Sequence, residues 1–515
     1  MGRSQTVAKN SAFKMVFKLT TILSSFVIRT VFIYSLGDEY TGLSSLFKSV
    51  LTVLSFVELG MGTSITYALY KPIAHNDKHK IAQLLKIYKK AYTIIGLAIL
   101  GLGICIIPFL DQIVTNAPHI KENITLIYIW QLANTSLSYF FVYRITLLTA
   151  SQEDHLVSKI DSVLYIARTI AEVIVLIVFK SYWGYLIVNS LYTLARNIII
   201  SVYSKKKIPI PEIDKNDILP KEEKKEIFKN VGALAIYKVS DVALEGTDSI
   251  IISSFIGTGI LGIYSNYYLL MTTVKYAVDQ VFTAAIPSIG NFKEFADRDK
   301  IEVVMRRLTF LAFWVATFCT AAFLGLIDSF IGDIWLGPSR VLPFSIVLAI
   351  FIEFYICLMT RPARTIRESC GLFTQGKYRP LIMAIINIII SIILTKQIGL
   401  LGVILGTIIS RSSTQLWYDP LIIYKRLFER SSKKYLLKLL QYFLLSSIIV
   451  FLTVLLTQLV VLESKILSFL LKTIIVMLIP NITIYLLMRK TDDYAWMKST
   501  FNNLLASRIR TVVKK

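Results

Sequence analysis

Charge is scarce in this chain, and acidic charge scarcest: 17% of its 515 residues are Asp, Glu, Lys or Arg, with 33 acids against 56 bases. Cysteine and histidine are rarer still, at four each. Cys105, Cys319, Cys357 and Cys370 lie in or beside apolar segments without close pairing, so they read as packing residues, not as a disulfide framework or a metal site. His75 and His79 stand four apart, but one such pair makes no metal centre, and His119 and His155 are placed in loops like them. The phosphate-loop pattern Gly-x-x-x-x-Gly-Lys-Ser/Thr is missing, as is a soluble nucleotide-sugar domain. ATP hydrolysis and sugar transfer therefore have no site, the chain is not expected to be an enzyme, and no cofactor is called for.

What is present is apolar. Hydrophobic residues make up 55% of the chain and mean hydropathy is +0.63, outside the range of soluble domains. The apolar residues come in blocks of about 20, the length that crosses about 30 Å of hydrocarbon as a helix. The expectation is an all-α polytopic membrane protein with 14 transmembrane helices, over 12–36, 41–70, 91–110, 123–149, 157–180, 182–203, 230–256, 259–289, 308–328, 343–366, 380–396, 399–423, 436–461 and 465–488. No cleavable signal is apparent at the start. The opening Met1-Gly2-Arg3-Ser4-Gln5-Thr6 fits the loose myristoylation pattern, but a chain with this many spans needs no anchor.

The net charge of +23 raises the possibility of a nucleic-acid partner, and its distribution removes it. Basic residues gather in alternate turns: Lys71, Lys78, Lys80, Lys86, Lys89 and Lys90 after the second span, and Lys425, Arg426, Arg430, Lys433 and Lys434 after the twelfth. The opposite turns carry Lys121, Lys180, Arg340, Lys396 and Lys465. Basic turns stay in the cytoplasm, so both termini are expected there, with anionic membrane lipids as the neighbours of the charge. The longest polar stretch, 204–229, mixes lysines, acids and prolines as a solvated linker ending in a short amphipathic helix. The turns on the other side are short and leave no room for an external catalytic domain.

Shifting residues 27–47 by 220 places Tyr34-Ser-Leu-Gly37…Thr41-Gly42-Leu43 on Ser254-Phe-Ile-Gly257…Leu261-Gly262-Ile263. Each is a spanning helix, a glycine at its outer end, a four-residue turn and a second glycine opening the return helix. With six helices on each side of the linker, the repeat is parallel: two lobes around a central cavity, related by an axis along the membrane normal. The expected organisation is an N-lobe over 1–203, the linker 204–229, a C-lobe over 230–424, an added helix pair over 425–490 and a basic cytoplasmic tail over 491–515.

Tyr40-Thr-Gly-Leu-Ser-Ser-Leu-Phe47, Glu58-Leu-Gly-Met-Gly-Thr-Ser-Ile65 and Thr247-Asp-Ser-Ile-Ile-Ile-Ser-Ser-Phe-Ile-Gly257…Gly262-Ile-Tyr-Ser-Asn-Tyr267 resemble the Wzx-type polysaccharide flippases. These belong to the multidrug/oligosaccharidyl-lipid/polysaccharide exporter superfamily, and the resemblance runs over nearly the whole chain. It implies two six-helix lobes forming a V-shaped cavity in a bacterial cytoplasmic membrane. It also implies alternating access that carries an undecaprenyl-diphosphate-linked oligosaccharide to the outer leaflet, for capsule or exopolysaccharide assembly. A polysaccharide polymerase and glycosyltransferases are the protein partners it suggests. Two other cargoes stay open: a cationic drug, as for the antiporters of the same superfamily, and a lipid II-type precursor.

Ionisable groups inside the spans mark the candidate site, since each costs about 2.5–3.5 kcal/mol at mid-depth unless it faces protein or water. Arg144, Arg196, Arg361 and Arg364 lie near a cytoplasmic boundary, within reach of headgroups. Arg168 with Glu172, and Lys275 with Asp279, are spaced to pair along one helix. Arg29, Lys48 and Arg411 have no acid within four residues. They are the candidates for binding a diphosphate, whose oxygens suit a guanidinium fork; acids on other helices, Glu245 or Asp248 among them, are the competing partners. Arg168, Lys238 and Lys275 are further cavity candidates. On the seventh span Lys238, Asp241, Glu245 and Asp248 share a face, and crowding of Asp241 with Glu245 suits a carboxylate that takes up a proton. These three acids are the candidates for a coupling H+ or Na+, or else for interlobe ion pairs. Tyr264, Asn266, Tyr267 and Tyr268 are read either as sugar-stacking residues or as an interfacial belt.

Overall fold

The computed structural model describes residues 3–58, 61–116, 120–151, 153–211, 219–293, 297–372, 375–376 and 378–513, with the side chains at 3–16, 63, 226, 228–230, 233–245 and 503–513 left out of that description. Among the described residues the regular structure is helical throughout. Contacts divide the chain into two units, Met1–Ser265 and Asn266–Lys515.

The first unit contains α1 (Arg3–Leu36), α2 (Asp38–Leu54), α3 (Met61–Ala74), α4 (Lys78–Ile104), α5 (Leu110–Ile113), α6 (Ile124–Tyr139), α7 (Val142–Ala150), α8 (Asp154–Ile174), α9 (Tyr182–Lys207), α10 (Lys221–Phe255) and the first turns of α11 (Thr258–Lys293). Side-chain caps start several of them: Asp77 accepts from the Lys80 amide, Asn123 from that of Leu126 and Ser181 from that of Gly184, each satisfying a donor with no partner inside its helix. The expected third span, 91–110, begins at Lys78 instead. Ile81, Leu84, Leu85 and Tyr88 are buried along α4 while Lys86, Lys89 and Lys90 occupy its other sides, an amphipathic pattern that averaged hydropathy passes over. His79 and His155 fall in helical first turns rather than loops. The core is aromatic: Tyr182 is fully buried with its ring 5.9 Å from that of Phe32 and 5.2 Å from that of Tyr40.

The second unit continues α11 and adds α12 (Arg298–Asp328), α13 (Phe344–Met359), α14 (Arg361–Ser369), α15 (Arg379–Ile398), α16 (Leu400–Ser413), α17 (Gln415–Ile423), α18 (Lys433–Gln458), α19 (Lys465–Met488) and α20 (Asp492–Val513). Here α12 is central. Phe313 stacks on Tyr442 of α18 at 4.3 Å, Phe323 stacks on Phe351 of α13 at 4.7 Å, and Trp314 donates to Asn481 of α19 at 2.7 Å. The break between α13 and α14 sits at Thr360, two residues before Pro362, which lacks the amide a continuous helix would use.

Ten helical stretches among the described residues are long and apolar enough to cross a membrane. The expected spans 123–149 and 399–423 are not among the ten; the first is α6 and α7, of 16 and 9 residues, and the second α16 and α17, of 14 and 9. Residues 230–256 and 259–289 are helical as parts of α10 and α11, and the end of the polar linker is the continuous start of α10.

The 220-residue offset has a geometric counterpart inside the first unit. Gly37, between α1 and α2, has φ +96°, and Gly257, between α10 and α11, has φ +129°; both lie where a side chain is strained. One turn further on, a Cβ at Gly42 would run into the carbonyl of Thr258, and a Cβ at Gly262 into that of Asp38. Thr258 is Asp38 shifted by 220, and Gly262 is Gly42 shifted by 220. Each hairpin thus presents its glycine to the first residue of the other's return helix, a reciprocal contact of the kind a two-fold axis generates.

Candidate functional site

A cavity of about 500 Å³ opens within the first unit, walled by four helices. Ser44, Lys48 and Thr52 of α2, with Ser55 beyond it, form one side; α6 supplies Trp130, Gln131, Asn134, Thr135 and Tyr139. Tyr165 and Arg168 come from α8, and Tyr185, Asn189 and Ser190 from α9. The lining is amides, hydroxyls, four aromatic rings and two cations, an assembly foreign to a lipid-facing surface. Periodicity explains how apolar helices produce it. Gln131 and Asn134 are three apart on α6, Tyr165 and Arg168 three apart on α8, and Tyr185 and Asn189 four apart on α9, so each helix turns one polar face to the same space.

The wall is held in place by its own contacts. Trp130 donates to Ser190 Oγ at 2.9 Å and Gln131 to the Tyr182 hydroxyl at 3.3 Å, tying α6 to α9. Arg168 is the most constrained group. Its Nε donates to Glu172 Oε1 at 2.7 Å, and its guanidinium lies 5.2 Å from the ring centre of Tyr165 and 5.1 Å from that of Tyr192. The pairing with Glu172 is the one the spacing anticipates; the two tyrosine rings that flank it are not legible from one helix.

Lys48 is solvent-accessible at the cavity wall. Arg29 is half-buried and does not line the cavity. Its Nη1 donates to Ser265 Oγ at 3.1 Å, and Ser265 donates in turn to the Gly262 carbonyl at 2.7 Å. This chain fastens α1 to α11 one turn from the glycine contact. Arg29, like Arg168 and Glu172, lies within electrostatic reach of Tyr185, which lines the cavity. Arg29, Lys48 and Arg168 therefore gather in one unit.

Arg411 is elsewhere and otherwise engaged. It lies in the second unit, 8% exposed, 3.0 Å from Glu353 of α13, with Gln415 accepting from it at 3.2 Å. The absence of a nearby acid in sequence concealed a partner on another helix. Arginines expected to reach headgroups also have carboxylate partners, on another helix for Arg196 and Arg361 and on its own helix for Arg364. Arg196 grips Asp161 bidentately at 2.7 and 2.9 Å, Arg361 meets Asp279 at 2.7 Å and Arg364 meets Glu368 at 2.8 Å. Asp279, matched to Lys275 by spacing, thus accepts from Arg361; Lys275 is half-buried on α11. Asp248 is half-buried on α10, whereas the side chains of Lys238, Asp241 and Glu245 lie outside the described residues. Tyr267 and Asn266 are buried at 0% and 1% exposure, and the Tyr267 hydroxyl accepts from the Leu342 amide at 2.9 Å. These two belong to the packed interior rather than to an interfacial belt.

The fold recurs in solved transporters. The structure titled as the lipid II flippase MurJ in an inward closed conformation has TM-score 0.66 and 15% identity, covering 93% of this chain and 98% of its own. An inward-facing multidrug resistance MATE family transporter of the MOP superfamily has TM-score 0.61 and 14% identity over 80% of this chain and 97% of its own. The Vibrio cholerae MATE transporter VcmN has TM-score 0.54 and 12% identity, covering 84% of this chain and 99% of its own. At such identities the likeness is one of fold. No curated protein matches the chain. A family model described as polysaccharide biosynthesis protein matches residues 7–293, more than half of the sequence.

Proposed function

The chain belongs to the polysaccharide biosynthesis protein family, and from that membership we propose that it carries a lipid-linked oligosaccharide from the cytoplasmic to the outer leaflet of a bacterial cytoplasmic membrane. The cargo is an undecaprenyl-diphosphate-linked repeat unit, destined for a capsule or exopolysaccharide polymerase. The observation that supports this reading best is the lining of the first unit's cavity. Sugars present hydroxyl groups and apolar ring faces, which amide side chains and aromatic rings receive. A diphosphate needs cations it can reach, and Lys48 of α2 and Arg168 of α8 both line this cavity.

In this proposal Lys48 is the direct phosphate contact. Arg29 raises the local potential through its place beside Tyr185, and Arg411 keeps its Glu353 pair. An antiporter of cationic drugs is disfavoured by the same lining, whose charged groups, Lys48 and Arg168, are both cations. Asp241, Glu245 and Asp248 remain the proposed carriers of a coupling H+ or Na+; transport insensitive to both gradients, or unchanged in Glu245→Gln, counts against them.

The test is reconstitution of the full chain into vesicles with a fluorescent diphosphate-linked oligosaccharide, scoring exposure of the label at the outer leaflet. Movement above that of empty vesicles supports the reading, and its absence together with active drug efflux replaces it by the antiporter. In cells, Arg29→Ala is expected to stop polymer export while the protein still reaches the membrane; unimpaired export removes Arg29 from the site.

A further inference from the structure

Glu172 is fully buried. One carboxylate oxygen holds Arg168 Nε at 2.7 Å, and the other, Oε2, has no hydrogen-bond partner among the described residues. A buried carboxylate accepting at one oxygen alone depends on its single cation, for removing one member of a buried pair leaves an uncompensated charge. Arg168 has a second allegiance: it lines the cavity where an anionic headgroup is proposed to sit. We propose that Glu172 is a resident counter-anion for Arg168, which the phosphate of the cargo displaces, and that the released carboxylate then takes up one proton.

The step forms one O–H bond on the carboxylate and breaks one in a hydronium ion that reaches it through cavity water and is left as water, giving a neutral carboxylic acid. The net result is that an anion enters together with a proton, so the charge delivered to the buried wall is partly cancelled. The groups facing Glu172 are consistent with this exchange. On its own helix this is Arg168, flanked by the rings of Tyr165 and, from α9, Tyr192; Tyr192 in turn lies beside Asp161 and Arg196. Tyr185 of α9 is within electrostatic reach of Glu172 and of Arg29 on α1. Of the other cations in this neighbourhood, Arg29 donates to Ser265 and Arg196 is held by Asp161. Once the phosphate engages Arg168, Glu172 has lost the one cation whose hydrogen bond it accepts, and a proton removes the charge left uncompensated. The tyrosine rings of Tyr165 and Tyr192 keep the guanidinium in place during the exchange, since stacking leaves its donor edges available.

This inference rests on the proposed phosphate cargo, and two measurements separate the two ideas. In the first, the detergent-purified full chain is titrated with geranyl diphosphate in buffers of different ionisation heat at pH 7. The wild type is expected to take up about one more proton per bound ligand than Glu172→Gln. The variant should bind about tenfold more tightly, a factor equivalent to one pKa unit of competition removed. Equal proton uptake, or weaker binding by Glu172→Gln as a purely structural ion pair requires, overturns the proposal. The second needs no ligand: the infrared difference between Arg168→Gln and wild type should show a protonated carboxyl band that vanishes in Arg168→Gln/Glu172→Gln. Without that band Glu172 does not protonate on losing its partner, and the proposal fails. If the band is present but no diphosphate binds, the fault lies with the proposed cargo and with the displacement step together, and Glu172 keeps only its proton-accepting character.

Discussion

Each unit holds a cavity, and the two are opposite in character. That of the first unit, about 500 Å³, is walled by amides, hydroxyls, Lys48 and Arg168. That of the second, about 390 Å³, is a groove between α12, α13 and α18 walled by Phe344, Phe351, Phe443 and Phe451 with a short hydroxyl seam, and none of its lining residues is charged. The second unit does not lack charge. Four of its arginines are committed to carboxylates: Arg411 to Glu353, Arg361 to Asp279, Arg364 to Glu368, Arg367 to Asp419. The difference teaches that counting intramembrane cations says little about binding. What matters is whether a cation reaches a cavity: Arg168 keeps Glu172 and still lines one, whereas none of these four arginines lines the groove of the second unit.

The comparison breaks most readily at Arg367. It is 1% exposed, pairs with the equally buried Asp419 and donates to the Leu372 carbonyl at 3.0 Å. Arg367→Ala is expected to cost about 3–5 kcal/mol by leaving Asp419 buried without this partner, read as a collapse of thermal stability in detergent. A loss below 1 kcal/mol means that the second unit's arginines are not structural.

Lys48→Ala is expected to behave in the opposite way, with thermal stability unchanged and headgroup binding weakened by about 1.5–3 kcal/mol, the worth of a hydrogen bond to a charged group. The double change Arg411→Met/Glu353→Met sharpens this contrast. Replacing a buried pair by apolar side chains of similar volume is often neutral, so transport should persist within a few-fold in the vesicle assay. Lost transport in that variant, with the protein folded, returns Arg411 to the binding site.

Gly262→Ala tests the reciprocal glycine contact, because its Cβ meets a backbone carbonyl that cannot rotate away. Overpacking of this kind costs about 1–3 kcal/mol, and the same change at Gly42 should cost a similar amount; very unequal losses argue against the local two-fold relation. The smallest effect is expected at Glu429, whose carboxyl is held below its ordinary value by the hydrogen bond from Arg298. A depressed carboxylate adds stability above its unfolded pKa that is lost as pH falls through the folded one. Both partners are exposed, so a melting series from pH 6 to pH 3 should show only a slight dependence on Arg298→Ala, abolished by salt.

Much of the fold was legible because helices of this length are local objects. Caps such as Asp77, the turn glycines at 37 and 257 and the (i,i+4) pair of Arg168 with Glu172 are each contained within a few residues. The candidate site was legible in part. Lys48 and Arg168 stood out as cations in apolar runs, and the polar residues at helical spacing on α6, α8 and α9 were a signal left unread. Arg196 and Arg411 could not be read, since Asp161 and Glu353 lie 35 and 58 positions away on other helices.

The sequence by itself determined a many-helix membrane protein, its basic turns, its family and the local geometry of its turns, all of which depend on composition or on short-range spacing. Only the tertiary structure decided which cations face a cavity and which face a carboxylate. The reason is the solvent. In water, apolar periodicity points a helix toward the core, but in a bilayer the lipid side is apolar too. On α15 it is Asn387, Ser391 and Thr395 that are buried while Ile382, Ile385, Ile389 and Ile393 are exposed. The rotation of each helix about its axis, and with it every partnership between helices, is set by packing against neighbours.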